Sequence, residues 1–248
     1  MSYYSLLHDD FIDNSDFRRK QKTAWVQFSP QQAVLAGDYL LAQVNVYLCE
    51  KENLSLLKLT AESIKSLVRG EFLQREFYGF RQKDLEKINE VSEHKTGSLF
   101  KWCLKAPFIL QGKQEAAFYD LLETIGRYLG WLYQRSDDLL DFDSQKESDK
   151  PALCDLKQTY YNSFSCYLTK DLDPSLEKKY QNCKSISEVH QCMPHFEATL
   201  KLFHEDNQKI IKKTEEKMME ISSFLAPEKS MLISELKLIP SLLYWRKK

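Results

Sequence analysis

The chain has 248 residues, of which 43% are hydrophobic, and this length and composition fit one domain, residues 1–248, with a packed core. Its formal net charge of −1 gives no general electrostatic reason to bind nucleic acid or an anionic membrane. Because no apolar run approaches the roughly 18 residues of a spanning helix, no signal peptide is evident, and the six cysteines form no CxxC motif, we expect a cytoplasmic protein without a membrane segment.

The chain begins with a helical stretch that runs directly into three carboxylates. Residues 2–13 predict the end of a helix, in which Asp9, Asp10 and Asp13 are spaced i, i+1 and i+4 and crowd one patch. Like charges at this spacing cost a helix about 0.2–0.5 kcal/mol per pair, which a hard cation such as Mg²⁺ would offset. The alternative is that the aspartates cap a helix or face solvent. Residues 14–28 predict a polar, basic loop.

The next segments predict helices. Ser29 and Pro30 are typical of an N-cap and a first helical residue, and the segment 31–50 is apolar nearly all round, which predicts a deeply buried central helix. Gly37 in its middle indicates close helix packing. Further helices are predicted over residues 53–77 and 84–105, and we expect Pro107 to end the second of them.

A second acidic triplet ends the long helix predicted over residues 114–142. Asp137, Asp138 and Asp141 repeat the i, i+1, i+4 spacing. Carboxylates at a helix C-terminus oppose the helix dipole, which strengthens the case for a bound cation. If the two triplets face each other, they could hold several Mg²⁺ ions and the diphosphate that those ions bind.

The remaining chain also has a helical period. After a charged loop at 143–151, shorter helices are predicted over residues 155–169, 174–182, 185–203, 204–224 and 228–243. Because the helical period dominates throughout, we predict an all-α bundle. His190, Cys192 and His195, with Cys183 upstream, fit no standard zinc spacing, and we favour a reading without metal there.

Five segments, in order, resemble the motifs of the trans-prenyl diphosphate synthase family (farnesyl and geranylgeranyl diphosphate synthases). They are YSLLHDDFID followed by RR, AVLAGDYLL, RGEFLQ, HKTGSLF and GRYLGWLYQRSDDLLD. The resemblance implies an isoprenoid-synthase-type helical bundle around a central cavity, acting as a homodimer. It also implies a Mg²⁺-dependent prenyltransferase that condenses isopentenyl diphosphate with an allylic diphosphate.

The resemblance carries roles onto matching positions. Three Mg²⁺ ions with bound diphosphate would be held by the two triplets, Asp9, Asp10, Asp13, Asp137, Asp138 and Asp141. Substrate diphosphates would contact Arg18, Arg19, Gln74, Lys95 and Lys150, and the catalytic residues would be Lys95, Thr96 and Gln134. The aromatic Tyr4, followed by the small Ser5, resembles the pocket floor of short-chain enzymes and implies a farnesyl or geranylgeranyl product. The alternative is that Tyr4 is an ordinary core residue.

The chain also departs from the family pattern. Only eight residues precede Asp9, so the resemblance implies a fold shortened at the N-terminus, without the basic element of the isopentenyl diphosphate site. A missing helical layer should expose apolar surface that a partner could cover. Activity of this short form is therefore open. One alternative is a lyase, similar to a terpene cyclase, that ionises an allylic diphosphate without an acceptor, and another is a non-catalytic subunit of a prenyl synthase.

Overall fold

The computed structural model describes residues 2–18, 20–143, 152–226, 233 and 235–245. Helices account for most of these residues, and the described strands are two short ones, which confirms the all-α prediction. They group into two compact units, one containing the described residues up to Leu59 and the other those from Thr60 onward. No helix in the described part of the chain is both long and apolar enough to cross a membrane.

Besides the start of α4 (Leu54–Glu76), the described part of the first unit contains three whole helices and a small hairpin. They are α1 (Ser2–Ile12), β1 (Phe17–Arg18), β2 (Gln21–Lys22), α2 (Ala24–Gln27) and α3 (Pro30–Glu50). The strands pair antiparallel, with Arg18 opposite Gln21, and Lys20 has the positive φ of 65° that suits a tight reversal. The prediction of a plain loop over residues 14–28 was therefore wrong, because short strands and a four-residue helix leave little periodicity to detect.

The start and the packing of α3 follow the sequence. The Ser29 hydroxyl accepts a 3.1 Å hydrogen bond from the backbone N–H of Gln32, and Pro30 is the first helical residue, as predicted. A Cβ on Gly37 would lie 2.4 Å from Nε2 of His8, so α1 packs closely against α3 at this glycine. This confirms the prediction of close packing at Gly37.

The predicted deep burial of α3 was wrong. Its buried residues are Ala33, Gly37 and Leu48. Leu35, Tyr39 and Val46, which we call the α3 face, are 66%, 64% and 54% exposed. An apolar helix surface is favoured to pack against another element, but its composition does not show whether such an element is present.

The second unit is built around one long helix. Its elements are most of α4 (Leu54–Glu76), α5 (Leu85–Ser92), a π-helical turn (Glu93–Gly97), α6 (Ser98–Leu110), α7 (Ala116–Leu140), α8 (Cys154–Lys157), α9 (Ser163–Leu168), α10 (Pro174–Gln181), α11 (Ile186–Cys192), α12 (Phe196–Ile221), a 3₁₀ turn (Ser222–Phe224) and α13 (Ile239–Tyr244). α7 contributes Leu122 and Ile125 to one hydrophobic cluster and Leu132 to another. Burial of each such side chain stabilises the fold by about 1.5–3 kcal/mol.

Several predicted boundaries in this unit were wrong. Pro107 lies inside α6 rather than ending it. A proline forfeits one backbone hydrogen bond, and the helix continues for only three residues beyond it. The predicted helix over 155–169 is two helices, separated where Asn162 caps α9, and the predicted boundary at 203 falls inside α12. The start of α9 is set by its cap, because the Asn162 side chain accepts from the backbone N–H of Ser165.

Candidate active site

The first acidic motif lies on α1 and the turn after it. The backbone N–H of Asp13 donates to the carbonyl of Asp9 over 2.8 Å, so these residues are one helical turn apart, as the spacing predicts. Both side chains are partly exposed, whereas Asp10 is only 5% exposed. Adjacent carboxylates of the motif therefore have different surroundings.

Arg18 forms an ion pair with the buried carboxylate of Asp10. Its Nε and Nη2 lie 2.7 and 2.6 Å from Oδ1 of Asp10. The loop leading to Arg18 is fixed at its base, where Thr23 Oγ1 and Trp25 Nε1 both donate to the carbonyl of Ser15, over 2.7 and 3.0 Å. The hairpin thus brings a basic residue to the first motif, where it neutralises one of the three charges.

In the second unit, the RGEFLQ and HKTGSLF motifs meet at Lys95. Its Nζ lies 2.6 Å from Oε1 of Glu71 and donates a 2.6 Å hydrogen bond to Oε1 of Gln74. Glu71 and Gln74 share a face of α4 because they are three residues apart. Gly70 makes this approach possible, since a Cβ there would lie 2.7 Å from Cγ of Lys95.

Lys95 and Thr96 both belong to the π-helical turn. Such turns are rare in proteins, and those that occur are often at functional sites. Thr96 Oγ1 donates to Oε1 of Gln134 over 3.4 Å, and Gln134 Nε2 donates to Oδ1 of Asp138 over 3.0 Å. A row of hydrogen bonds therefore joins the π turn to the second acidic motif. Of the three residues predicted to be catalytic, Thr96 and Gln134 are in contact, and Lys95 is the neighbour of Thr96 in the π turn.

Asp138 is held from two sides. Besides the amide of Gln134, its carboxylate accepts a 2.9 Å hydrogen bond from the backbone N–H of Ser163, at the start of α9. Burial raises the pKa of Asp138 to about 6, with the neighbouring Asp137 charge acting in the same direction, and hydrogen bonds from Ser163 and Gln134 oppose the shift. Asp137 itself is partly exposed.

Asp141 is only 6% exposed, and its carboxylate accepts hydrogen bonds from backbone N–H groups. Its Oδ1 accepts from the N–H of Cys154 over 2.8 Å, and its Oδ2 accepts from the N–H of Asp155 over 3.2 Å. Asp138 and Asp141 therefore anchor the starts of α9 and α8. Both were predicted as metal ligands, and their hydrogen bonds give them a second role that the spacing does not reveal.

Four of the predicted positions lie outside what the structure describes. They are Arg19, Lys150 and the side chains of Tyr4 and Ser5. Their roles stay predictions, as does the facing of the two acidic motifs. Conversely, sequence reasoning missed Glu71 as the ionic partner of Lys95, although the motif RGEFLQ contains it three residues before Gln74.

The oxygen donors of both motifs suit Mg²⁺, which prefers carboxylate oxygens and water. Within the described ranges, no three His, Cys, Asp or Glu side chains are grouped so that they could hold a metal ion together. Mg²⁺ usually takes one or two carboxylates and completes its shell with water and substrate phosphates. Pairs of partly exposed aspartates such as Asp9 and Asp13 fit that habit.

The chain matches known proteins over most of its length. A family profile described as Polyprenyl synthetase matches residues 1–197. A protein named "Prenyl transferase" from Cyanophora paradoxa is 35% identical over 221 residues, which cover 87% of this chain and 64% of that protein. Solanesyl diphosphate synthase 2, chloroplastic, from Arabidopsis thaliana is 37% identical over 153 residues, covering 61% and 36% of the two chains. The chain thus spans less than two thirds of the length of these relatives.

The fold is also similar to solved structures. A polyprenyl synthase from Caulobacter crescentus CB15, in complex with calcium and isoprenyl diphosphate, superposes with a TM-score of 0.77 at 20% identity. The match covers 98% of this chain and 75% of that one. The likeness confirms the predicted isoprenoid-synthase type of helical fold.

Proposed function

The chain belongs to the polyprenyl synthetase family, and from that premise we propose that it is a prenyltransferase that joins isopentenyl diphosphate to an allylic diphosphate. The observation that carries the proposal is two sets of polar contacts made by adjacent residues of the π turn: Lys95 contacts Glu71 and Gln74, and Thr96 contacts Gln134, which in turn donates to Asp138. Three family motifs, far apart in sequence, supply these residues. Their contacts support a role as one catalytic surface.

The chemistry requires charge to be stabilised as a carbon–oxygen bond breaks. The bond between the allylic carbon and the diphosphate oxygen breaks, and both electrons leave with the diphosphate. Lys95, preset by Glu71 and Gln74, provides a fixed positive charge for that leaving group. Thr96 and Gln134 present oxygen atoms that stabilise the allylic cation. The cation then takes the double-bond electrons of isopentenyl diphosphate, and loss of a proton gives the longer product.

We propose Asp9, Asp13 and Asp137 as the residues that hold Mg²⁺, because each carboxylate is partly exposed. When bound, Mg²⁺ stabilises the negative charge on the departing diphosphate. Asp10 contributes indirectly by positioning Arg18, and Asp138 does so by positioning Gln134. The Caulobacter polyprenyl synthase was solved with calcium and isoprenyl diphosphate, and this supports the use of a divalent cation with a prenyl diphosphate. The number of ions is a prediction from the family resemblance.

The length of the product is a finer proposal. Tyr4 before the first motif favours a farnesyl or geranylgeranyl product, whereas the Arabidopsis relative is named for solanesyl diphosphate. Because of Tyr4, we propose a farnesyl or geranylgeranyl product. We also keep the cytoplasm as the proposed compartment, although the Arabidopsis relative is chloroplastic.

We further propose that two copies of the chain associate through the α3 face. Leu35, Tyr39 and Val46 recur at helical spacing within one narrow arc, and each is more than half exposed. Contiguous apolar side chains of this kind are typical of protein–protein interfaces. A homodimer would cover them.

The test is an elongation assay with labelled isopentenyl diphosphate, Mg²⁺ and geranyl or farnesyl diphosphate as primer. We expect elongated diphosphates, whose length chromatography assigns after dephosphorylation. Lys95→Met should lower kcat/KM by about 100-fold, since a fixed charge opposite the leaving group is lost. Lys105→Met is the matched control, because Lys105 is also a part-buried lysine paired with a glutamate, Glu123.

Three outcomes would contradict the proposal. If the folded chain gives no elongated product with either primer, the transferase assignment fails. Release of hydrocarbons or alcohols without isopentenyl diphosphate would instead identify a lyase. Equal losses in the Lys95 and Lys105 variants would show that Lys95 has no special role.

A further inference from the structure

Two cysteines of the second unit lie side by side. The Sγ atoms of Cys183 and Cys192 are 3.4 Å apart, within hydrogen-bonding distance for thiols, and both cysteines are free. Cys183 follows α10 after one residue, and Cys192 is the last residue of α11. Their contact therefore closes the turn that connects these two helices.

The surrounding backbone fixes both sulfurs. The Cys183 thiol lies 3.3 Å from the carbonyl of Lys179, and the Cys192 thiol lies 3.4 Å from the carbonyl of Val189. The turn between them is capped by Ser185, whose hydroxyl accepts from a backbone N–H of α11. A disulfide needs the sulfurs to approach by about 1.4 Å, to a bond length of about 2.05 Å.

We propose that Cys183 and Cys192 form a thiol–disulfide exchange site that takes a low-molecular-mass disulfide as its oxidant. The Cys192 thiolate attacks one sulfur of the small disulfide, and one small thiolate leaves. The Cys183 thiolate then attacks the sulfur of Cys192 in the mixed disulfide, and the second small thiolate leaves. Two protein thiols are oxidised to one disulfide, and the small disulfide is reduced to two thiols, which take up the two protons.

The environments of the two thiols set this order. Cys192 is partly exposed, whereas Cys183 is only 8% exposed. Burial raises the pKa of the Cys183 thiol, and contact with Cys192 raises it further, so Cys183 is protonated at neutral pH. The small disulfide therefore meets Cys192 first, and ring closure quickens as the pH rises. The site does not depend on the proposed prenyl transfer.

The experiment uses the reduced, folded protein and oxidised glutathione as the probe. After exposure, free thiols are blocked with an alkylating agent and the protein is digested with trypsin. Trypsin cuts after Lys184, between the cysteines, so the new bond links the peptides YQNCK and SISEVHQCMPHFEATLK. We expect this linked pair in the mass spectrum, its loss on reduction, and a Tm about 5 °C higher in the oxidised protein.

Variants test the order of the two steps. Cys183→Ser should stop at the mixed disulfide, with glutathione retained on Cys192, whereas Cys192→Ser should give neither the link nor glutathione on Cys183. Cys103→Ser, which removes an exposed thiol, is the control and should form the link as the wild type does. Absence of the linked pair from folded wild-type protein overturns the proposal, as does equally ready glutathionylation of Cys183 and Cys192 in the two single variants.

Discussion

Neighbouring aspartates of one motif have different surroundings, and from these we predict different roles. Asp137 is partly exposed, while Asp138 is buried and accepts hydrogen bonds from Gln134 and from the backbone of Ser163. A carboxylate that already satisfies two donors has fewer lone pairs for a cation. We therefore expect Asp137 to act on metal and Asp138 to act on the position of Gln134.

Substitution at these two positions should separate those roles. Asp137→Asn should raise the Mg²⁺ concentration for half-maximal elongation by about tenfold, because a direct ligand loses its charge. Asp138→Asn should lower kcat by about tenfold with little change in the Mg²⁺ requirement, because the Gln134 amide loses its fixed acceptor. Initial rates over a Mg²⁺ titration measure both effects. A shift in Mg²⁺ requirement as large for Asp138→Asn as for Asp137→Asn would contradict this division.

The raised pKa of Asp138 also predicts a pH dependence of stability. Since its pKa of about 6 in the folded protein exceeds the ordinary 3.8, the folded state binds this proton more tightly than the unfolded state does. That contribution to stability is present at low pH and is lost as the pH rises through 6. From about pH 4.5 to about pH 7.5 it should cost about 2 kcal/mol.

Urea unfolding of the wild type and of Asp138→Asn at those two pH values isolates this contribution. The asparagine still accepts from Ser163 but does not titrate, so its free energy of unfolding should lack this fall. Parallel pH profiles for the two proteins would mean that Asp138 does not titrate in this range.

Residue spacing alone predicted the acidic motifs, but it did not predict which of their aspartates are buried and hydrogen-bonded to backbone. The partners of Asp138 and Asp141 are backbone N–H groups of Ser163, Cys154 and Asp155. Every residue type except proline has such a donor, so no pattern of side chains predicts these contacts. Glu71 is a different case, because the sequence alone shows that it lies three residues before Gln74 and so on the same helix face.

At the scale of elements, the π turn positions two residues of the candidate site, Lys95 and Thr96. A Cβ on Gly130 of α7 would lie 2.5 Å from Cα of Gly97, the last residue of the turn. The two backbones therefore touch without side chains between them. This contact holds the turn that carries Lys95 and Thr96 against the helix that carries Gln134.

Gly130→Ala tests that contact. An alanine in a helix interior normally gains about 1 kcal/mol over glycine. Here the added methyl meets backbone that cannot rotate away, so we expect a net loss of about 1–2 kcal/mol in the free energy of unfolding, with reduced elongation activity. Denaturant unfolding and the elongation assay measure the two effects.

Gly37→Ala is the matched control, because its methyl meets the movable imidazole of His8 rather than backbone. We expect a smaller change in stability there. Equal or greater stability of Gly130→Ala relative to wild type would remove the case for a backbone contact that only glycine permits.

Elements were predictable where local signals determine them. Ser29 and Pro30 placed the start of α3 correctly, because a cap and a first-turn proline act within one turn. The π turn was not predicted, and its contact with Gly130 is made by a different helix, so no local signal marks it. The exposure of α3 was misjudged for the same reason: the cover of an apolar face is a tertiary property.

At the scale of the whole molecule, the helical class and the family could be predicted from sequence, whereas the surroundings of each motif could not. The acidic motifs lie in different compact units, one before Leu59 and one after Thr60. Periodicity within each unit identifies helices. It carries no information on which surfaces meet a second chain.

The exposed α3 face provides the last prediction, that the chain self-associates. Burial of three large apolar side chains in each copy favours association by the hydrophobic effect. We expect sedimentation velocity to give twice the chain mass at micromolar concentration. Tyr39→Glu should give the mass of one chain, because a buried unpaired charge opposes the contact. Leu110→Glu introduces the same charge at a 60% exposed leucine outside this face and should leave the dimer intact. A monomeric wild type, or equal effects of the two substitutions, would exclude α3 as the interface.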